Sequence, residues 1–455
     1  MKKKIAIIGS GAYGSYAASL IGDLHPDWEI HIFEVGDKVI KDQDTMGLRS
    51  ELLSNPYDAL TKGRYFGFGG ATAKWGGQIL TFSKNDFTNP SRFLKEIVNL
   101  NEKYRQNIFK KVGIENNYSE KRLANGLFTK TGVWLDYFSR NLFKKFKVEK
   151  YPNVHLHPHC RVTRINTEGK RVISFDYIED GNNRTADKYD FYVLSAGAFE
   201  TTRLLMVSGL QDHTCVSFSD HIAKKEFRIY DTTKIGDVDM QFKIKKASFI
   251  TTRLIGEKDG CSFFAYPSFN AEFPFFQNLK KLLFGKKFSL KMILSIIRDI
   301  PSCIAFAWSF FVKHKLYVYK NMWFLVLHME NDLGYGKVYL SDHLDKFNQQ
   351  GLAIDFSIPD HSERSFNEIS NELEQMLKNN HVRYTRVTEK IHTEKFEDEY
   401  HPFALYSDFD SVDDYFHTFD NMLVVHSGVL PRAGGINSTS AAFPLIEEFF
   451  REIYK

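Results

Sequence analysis

Apolar positions along the chain fall into short continuous runs, alternating stretches and helical stripes, separated by turns of small residues. The first run, Ile5-Ala6-Ile7-Ile8, is short and uninterrupted, as expected of a parallel strand buried on both faces. The turn GSGAYG at 9–14 follows, then apolar residues at helical spacing over 15–21, then a second strand, Ile30-His31-Ile32-Phe33. Residues 63–87 are rich in glycine and enclose Trp75, and 92–147 reads as mainly helical and basic. Residues 154–165 alternate as one strand, 171–177 as another, and 189–194 is again a buried strand. It stops at the small-residue turn Ser195-Ala196-Gly197-Ala198, and a helix is predicted over 200–208. Strands dominate 222–270, and an amphipathic helix covers 362–381. The chain closes with a strand at 422–425, a loop of Gly and Ser, and a helix over 440–453. No internal repeat or low-complexity segment interrupts this order.

The opening strand–turn–helix–strand unit carries chemistry. In GSGAYG, Gly9 permits the tight turn, Gly11 lets backbone approach a pyrophosphate, and Gly14 lets the helix pack on the sheet. A pyrophosphate would rest on the helix N-terminus, where unpaired N–H groups and the dipole favour anions. Glu34, twenty positions beyond Gly14 at the end of the second strand, can accept hydrogen bonds from adenosine ribose hydroxyls. The motif alone leaves FAD and NAD open. The layout favours FAD, because strand–turn–helix units recur in three separated parts of the chain. Segments 1–90, 150–220 and 400–455 are expected to form a discontinuous FAD-binding domain, 91–149 a helical extension, and 221–399 a substrate-binding domain. The expected class is α/β: a Rossmann-like FAD-binding domain plus an α+β substrate domain with a mainly antiparallel sheet and helices.

Composition narrows the setting. The 455 residues are too many for one ordinary core, and 43% hydrophobic with 25% charged residues describes a folded chain. A net charge of +4 gives no reason to expect a nucleic-acid partner. Cys160, Cys215, Cys261 and Cys303 lack paired spacing, as expected of reduced cysteines in a cytoplasmic protein. The run behind Met-Lys-Lys-Lys is shorter than the ~7–15 apolar residues of a signal peptide and reads as strand. Residues 279–316 raise a membrane question, with Lys280, Lys281, Lys286, Lys287 and Lys291 ahead of two apolar stretches split by Arg298-Asp299. The longest run is about a dozen residues against the ~20 of a membrane span. The plainer reading is a pair of buried helices. The other is a basic, aromatic insert lying against an anionic membrane, peripheral at the inner face.

Several separated segments together resemble the glucose–methanol–choline (GMC) oxidoreductases, FAD-dependent enzymes acting on alcohols, closest in style to the cholesterol-oxidase and sugar-oxidase branches. They are GSGAYG with Phe33-Glu34-Val35-Gly36, FGFGGATAKWGGQIL at 66–80, VHLHPHCRVTRI at 154–165 and VLSAGAFETTRLLMVSGL at 193–210. Ser219-Asp220-His221, NDLGYGKVYLSD at 331–342, YHPF at 400–403 and NMLVVHSGVLPRAGGINSTSAAFPLIEEF at 421–449 complete the series. The resemblance implies an FAD site built from Gly9, Gly11, Ala12, Tyr13, Gly14, Glu34, Gly70, Thr72, Trp75, Gly76, Val162, Ala196, Gly197, Ser438 and Thr439. It implies His401 as the general base and Asn437 as the second catalytic position. The logic is chemical: hydride leaves the alcohol carbon for flavin N5, an imidazole with pKa near 6.5 takes the hydroxyl proton, and an amide holds the oxygen. The last helix would direct its N-terminus at the flavin, where the positive dipole end stabilises an anionic reduced ring.

Two positions depart from the family pattern. Phe403-Ala404-Leu405-Tyr406 stands where the family commonly has Gly soon after the His, which bears on the pocket beside His401. His426 stands where Asp is usual, which bears on a flavin contact. Among other histidines, His155, His157 and His159 alternate and could face a metal, but their segment already serves the adenine side, and no metal site is expected. His221 and His361 read as structural, and His392 and His417 as solvated. The resulting expectation is FAD-dependent oxidation of a small-molecule or glycan alcohol (a sugar, glycan intermediate or lipid-like alcohol), with an electron acceptor the residues do not name. The competing readings are a flavoprotein reductase or hydratase, and a non-catalytic flavin-binding protein at a membrane.

Overall fold

The computed structural model describes residues 2–54, 63–114, 118–123, 126–245, 248–269, 278, 289–318, 322–387, 397–398 and 400–453. Its architecture is mixed α/β. Five parallel strands form one sheet in the order Met422–Val424, Phe191–Leu194, Lys4–Ile8, Glu29–Phe33, Val154–His157. The N-terminus, the middle and the C-terminus of the chain thus share one sheet. Residues 5–8 and 191–194 are buried throughout: helix Ala12–Leu24 packs against these strands, and Phe175 of the antiparallel strand Arg171–Glu179 packs against Phe33 and Tyr192. Helix Ala12–Leu24 leaves the first strand and is held by the C-terminal segment, where Tyr16 stacks on Phe443 at 4.3 Å. Helix Ala198–Val207 leaves the second strand–turn unit in the same way.

A larger, mainly antiparallel sheet lies beside it. Its path runs Arg383–Arg386, His221–Tyr230, Met322–Glu330, Cys261–Phe269, Ser248–Lys258, Phe128–Trp134, Gln78–Ile79. Helix Asp360–Asn379 buries Phe366, Ile369, Leu373 and Leu377 in the core of this part, as the amphipathic pattern requires. A four-stranded sheet pairs Val216–Phe218, Gly336–Leu344, Gln350–Phe356 and Glu51–Leu52.

Several local expectations change. The stretch read as one strand over 154–165 breaks at Pro158-His159, where His159 has φ 59°. The chain leaves the parallel sheet there and begins a separate antiparallel sheet with Cys160–Glu168. The stretch 92–147, read as mainly helical, holds helix Arg92–Lys111 but then strand Phe128–Trp134 of the large sheet. Lys130 disguises that strand, because its ammonium is buried against the Asp86 carboxylate rather than solvated. The final helix is three joined pieces: a 3-10 turn Ser438–Ala442, an α-helical turn Phe443–Glu448 and a π turn Phe449–Ile453. In 279–316 the plainer reading fails. Helices Leu290–Arg298 and Ile300–Phe311 form but present most of their large apolar residues to solvent. Lys280, Lys281, Lys286 and Lys287 lie outside the described residues, as does His392. Among the described residues, no helix is long and apolar enough to cross a membrane.

Candidate active site

The fingerprint loop follows from close backbone approach. Gly9 has φ 94°, and a Cβ there would lie 2.6 Å from the Ser195 carbonyl oxygen on the neighbouring strand. A Cβ on Gly14 would lie 1.9 Å from the Gly9 carbonyl oxygen. Gly11 differs: a Cβ there meets nothing within 4 Å, so its bareness leaves room in the adjoining cavity. Helix Ala12–Leu24 starts immediately, without a side-chain cap and without an acidic residue in its first turn, so its first N–H groups face no competing carboxylate.

Glu34 is buried and fully engaged. One oxygen accepts the Ser10 N–H (3.1 Å) and Ser10 hydroxyl (2.7 Å). The other accepts the N–H groups of Gly36 (3.0 Å) and Gly67 (3.2 Å). The carboxylate therefore ties the fingerprint loop to the glycine-rich segment. A ribose hydroxyl would have to take a position held by one of these donors, and the Ser10 hydroxyl has a second acceptor in the Gly67 carbonyl, at 3.3 Å.

Gly9, Gly11, Ala12, Tyr13, Glu34, Gly70, Thr72, Trp75, Gly76, Val162, Ala196, Gly197 and Thr439 line one cavity of about 650 Å³, and His401 and Asn437 line it too. Gly14 and Ser438 do not. Gly14 packs against Gly9, and Ser438 is wholly buried behind the wall. Trp75 is fixed by its indole N–H donating to the Arg140 carbonyl at 2.8 Å. Thr72 accepts the Leu142 N–H and donates to the Gly69 carbonyl.

His401 is half-buried between two left-handed residues, Tyr400 (φ 62°) and Ala404 (φ 63°). Its backbone N–H donates to the buried Asp220 carboxylate at 3.1 and 3.2 Å, and Phe403 exchanges backbone hydrogen bonds with Ser219. The Asp-His step and the YHPF segment, far apart in sequence, are thus one unit. Asn437 begins the 3-10 turn Ser438–Ala442, and its side-chain oxygen accepts from Arg253 Nη2 at 3.1 Å. A guanidinium only donates, so the amide oxygen must face Arg253 and the amide nitrogen is left for other partners. The preceding loop is anchored by Glu330. One of its oxygens accepts the Ala433 and Gly434 N–H groups at 2.8 Å each, and the other pairs with Arg432 at 2.6 Å. Burial alone would raise the Glu330 pKa, but the charges of Arg432 and His221, together with hydrogen bonds from Arg432 and the Ser262 N–H, hold the carboxyl below its usual value.

Residues that motif reading passed over also line the cavity. Gln78 is buried there, and neither side-chain polar atom has a hydrogen-bond partner among the described residues. Arg64, Arg161 and Glu200 form a charged wall with Arg203 behind it, the Arg161–Glu200 pair being in direct contact. Burial would raise Glu200, yet Arg161, Arg203 and Arg64 hold it down at about 2. Only adjacency to named motifs, Arg161 beside Val162 and Glu200 just after Gly197, hinted at them.

Other histidines among the described residues make packing or surface contacts. His31 lies in a stack with His155 and His157, at 4.7 and 5.2 Å, and burial foremost, then His157 and His155, brings its pKa down to about 4. No group of three or more potential metal ligands occurs among the described residues. His221 contacts the Gly434 carbonyl through Nε2 at 2.9 Å, and His361 pairs with Asp332. His426 does not line the cavity. It accepts the Gly428 N–H at 3.0 Å, and burial pushes its pKa down to about 3.

Comparison with known proteins agrees with this architecture. Residues 138–225 match the GMC oxidoreductase family. The fold is similar to pyridoxine 4-oxidase from Mesorbium loti, with TM-score 0.56 and 15% identity over 100% of this chain and 99% of that one. It is also similar to formate oxidase from Aspergillus oryzae RIB40, whose structure concerns FAD modification, with TM-score 0.55 and 13% identity over 100% and 98%. No curated protein sequence matches.

Proposed function

We propose that this chain, a GMC oxidoreductase in its matched segment and its fold, oxidises a hydroxyl group with His401 as base and Asn437 as oxygen anchor. It is an FAD-dependent oxidoreductase. The residues fit that cofactor on physical grounds. Gly11 opens toward the cavity, the first helix offers N–H groups without a competing acid, and the Tyr13 hydroxyl on the cavity wall lacks a partner among the described residues. Gly9, Gly11, Ala12, Tyr13 and Glu34 would hold the adenosine diphosphate, with Val162 at the adenine. Gly70, Thr72, Trp75, Gly76, Ala196 and Gly197 would line the cofactor and Thr439 its far edge, with Ser438 buried behind that wall. FAD, when bound, supplies the acceptor for the hydride leaving the alcohol carbon.

The observation that carries the proposal is that His401 and Asn437 share one cavity with the fingerprint loop. His401 takes the hydroxyl proton on its imidazole, a side chain suited to general-base work. Asn437, its oxygen held by Arg253, presents amide N–H donors to the substrate oxygen. Gln78 offers another amide, without a hydrogen-bond partner among the described residues, and Trp134, Tyr266 and Tyr400 give the cavity aromatic walls. Those walls suit an alcohol with an apolar face: a sugar or glycan ring, or a lipid-like alcohol.

Anaerobic bleaching of the flavin by a panel of sugars and lipid-like alcohols tests the proposal. At least one should bleach it, and His401→Ala and Asn437→Ala should slow bleaching with the flavin retained. If no alcohol bleaches it, or neither variant is slower, the assignment is wrong.

A further inference from the structure

Helices Leu290–Arg298 and Ile300–Phe311 invert the usual surface rule. On the first, Leu290, Ile293, Leu294 and Ile297 recur at helical spacing and all are exposed. On the second, Ile300, Ile304, Trp308 and Phe311 repeat nearly every turn on one face, with Ile304, Trp308 and Phe311 at 65%, 58% and 71% exposure. Val312 extends the row. Patches of this kind mark interaction sites.

The charge around the patch identifies the occupant. Lys291, Arg298 and Lys313 are exposed among these apolar residues. Within 289–316 Asp299 is the one acidic residue, and it is buried at the junction of the two helices. A second copy docking through the same patch would set one cation-bearing patch against another. An anionic bilayer instead receives the apolar faces in its headgroup–acyl boundary and pairs the cations with lipid phosphates. Trp308, an apolar ring with one polar N–H, suits that boundary.

The pair is firmly attached. Ile244 N–H donates to the His314 carbonyl at 2.7 Å, and Leu316 N–H to the Phe242 carbonyl at 2.9 Å. Phe242 in turn lies 5.7 Å from Trp134, ring to ring, and Trp134 lines the cavity. We infer that the helix pair 290–311 is a monotopic docking surface for anionic lipid bilayers, mounted on the wall of the catalytic cavity. Docking does not depend on the proposed redox chemistry, so each can fail without the other.

The test is flotation of the full-length, flavin-loaded protein with vesicles of phosphatidylcholine alone or doped with phosphatidylglycerol, at low and high salt. The native protein should float with the anionic vesicles at low salt and be released by high salt. Leu294→Ser/Trp308→Ser and Lys291→Glu/Arg298→Glu should each lower partitioning at least tenfold, with flavin content and bleaching by a soluble alcohol unchanged. Absence of flotation, or equal flotation with neutral vesicles, overturns the inference. So does a native dimer that Leu294→Ser/Trp308→Ser converts to monomer, since the patch would then be an interface between copies.

Discussion

Arg253→Met asks whether a residue that does not line the cavity sets the chemistry inside it. Arg253 is wholly buried, donates to Asn437 Oδ1 at 3.1 Å and to the Gly435 carbonyl at 3.4 Å, and lies 4.4 Å from the Phe264 ring. Methionine keeps an unbranched chain in that space, so core loss is modest, but it releases the Asn437 amide to rotate. A hydrogen bond to a charged donor is worth about 1.5–3 kcal/mol. If that energy serves to orient Asn437 in the transition state, flavin reduction slows by about 10- to 150-fold. The assay is stopped-flow anaerobic reduction at saturating alcohol, with thermal melting and flavin content as controls for folding. The decisive arm is a double-mutant cycle. In an Asn437→Ala background the Arg253→Met effect should nearly vanish, because Arg253 acts through that amide. A Arg253→Met protein within about twofold of native rate, which is below the smallest effect expected, would refute the reasoning. So would an effect that persists undiminished without Asn437.

Removing the imidazole in His401→Ala should slow alcohol-driven bleaching by about 10²–10⁴-fold, measured in the same stopped-flow experiment, with flavin absorbance retained. Glu200→Gln leaves Arg64, Arg161 and Arg203 without their shared carboxylate and should cost roughly 3–5 kcal/mol in urea unfolding. Because the Glu200 pKa is depressed from 4.5 to about 2, its contribution is complete above 4.5 and is lost as pH falls through that window, so the native protein should lose more stability there than the Gln variant. Gly14→Ala drives a methyl into the Gly9 carbonyl and should cost about 1–3 kcal/mol and most of the bound flavin, read by melting and by absorbance. Ala404→Gly should stabilise: the left-handed Ala404 backbone costs roughly 1–2 kcal/mol, of which glycine's extra unfolded freedom takes back about 0.5–1, so a lower urea midpoint would contradict the strain.

The parts of this molecule legible in its sequence are those whose geometry is local. GSGAYG is readable because Gly9 and Gly14 answer constraints from atoms a few residues away or on the adjacent strand. The amphipathic helix Asp360–Asn379 is readable because one stripe meets one core. Strand Phe128–Trp134 was hidden because a buried Lys130–Asp86 pair satisfies its charge 44 residues away. Helices Leu290–Arg298 and Ile300–Phe311 were readable as helices, but spacing does not say whether an apolar face points in or out. Arg253 was invisible for the same reason as Lys130, since its partner Asn437 is 184 positions on.

That non-local wiring has a shared origin in the large sheet. His221 and Glu330 are direct partners in the ladder between His221–Tyr230 and Met322–Glu330. Asp220, one residue before that pair, binds the backbone N–H of His401, while Glu330 binds those of Ala433 and Gly434 on the loop that carries Asn437. The Asn331 N–H closes the frame on the Asp220 carbonyl at 3.0 Å. Two buried carboxylates at one end of a hydrogen-bonded ladder therefore set the spacing between His401 and Asn437, the proposed base and oxygen anchor. A proton acceptor and a hydroxyl anchor work together only when their separation is held within fractions of an ångström, and loops alone do not hold it. The sheet end anchors the loops bearing His401 and Asn437. The departure at Ala404 is tolerable for the same reason: its strained backbone is stapled to Leu430, and the preceding Phe403 to Ser219, which sits at that same ladder end.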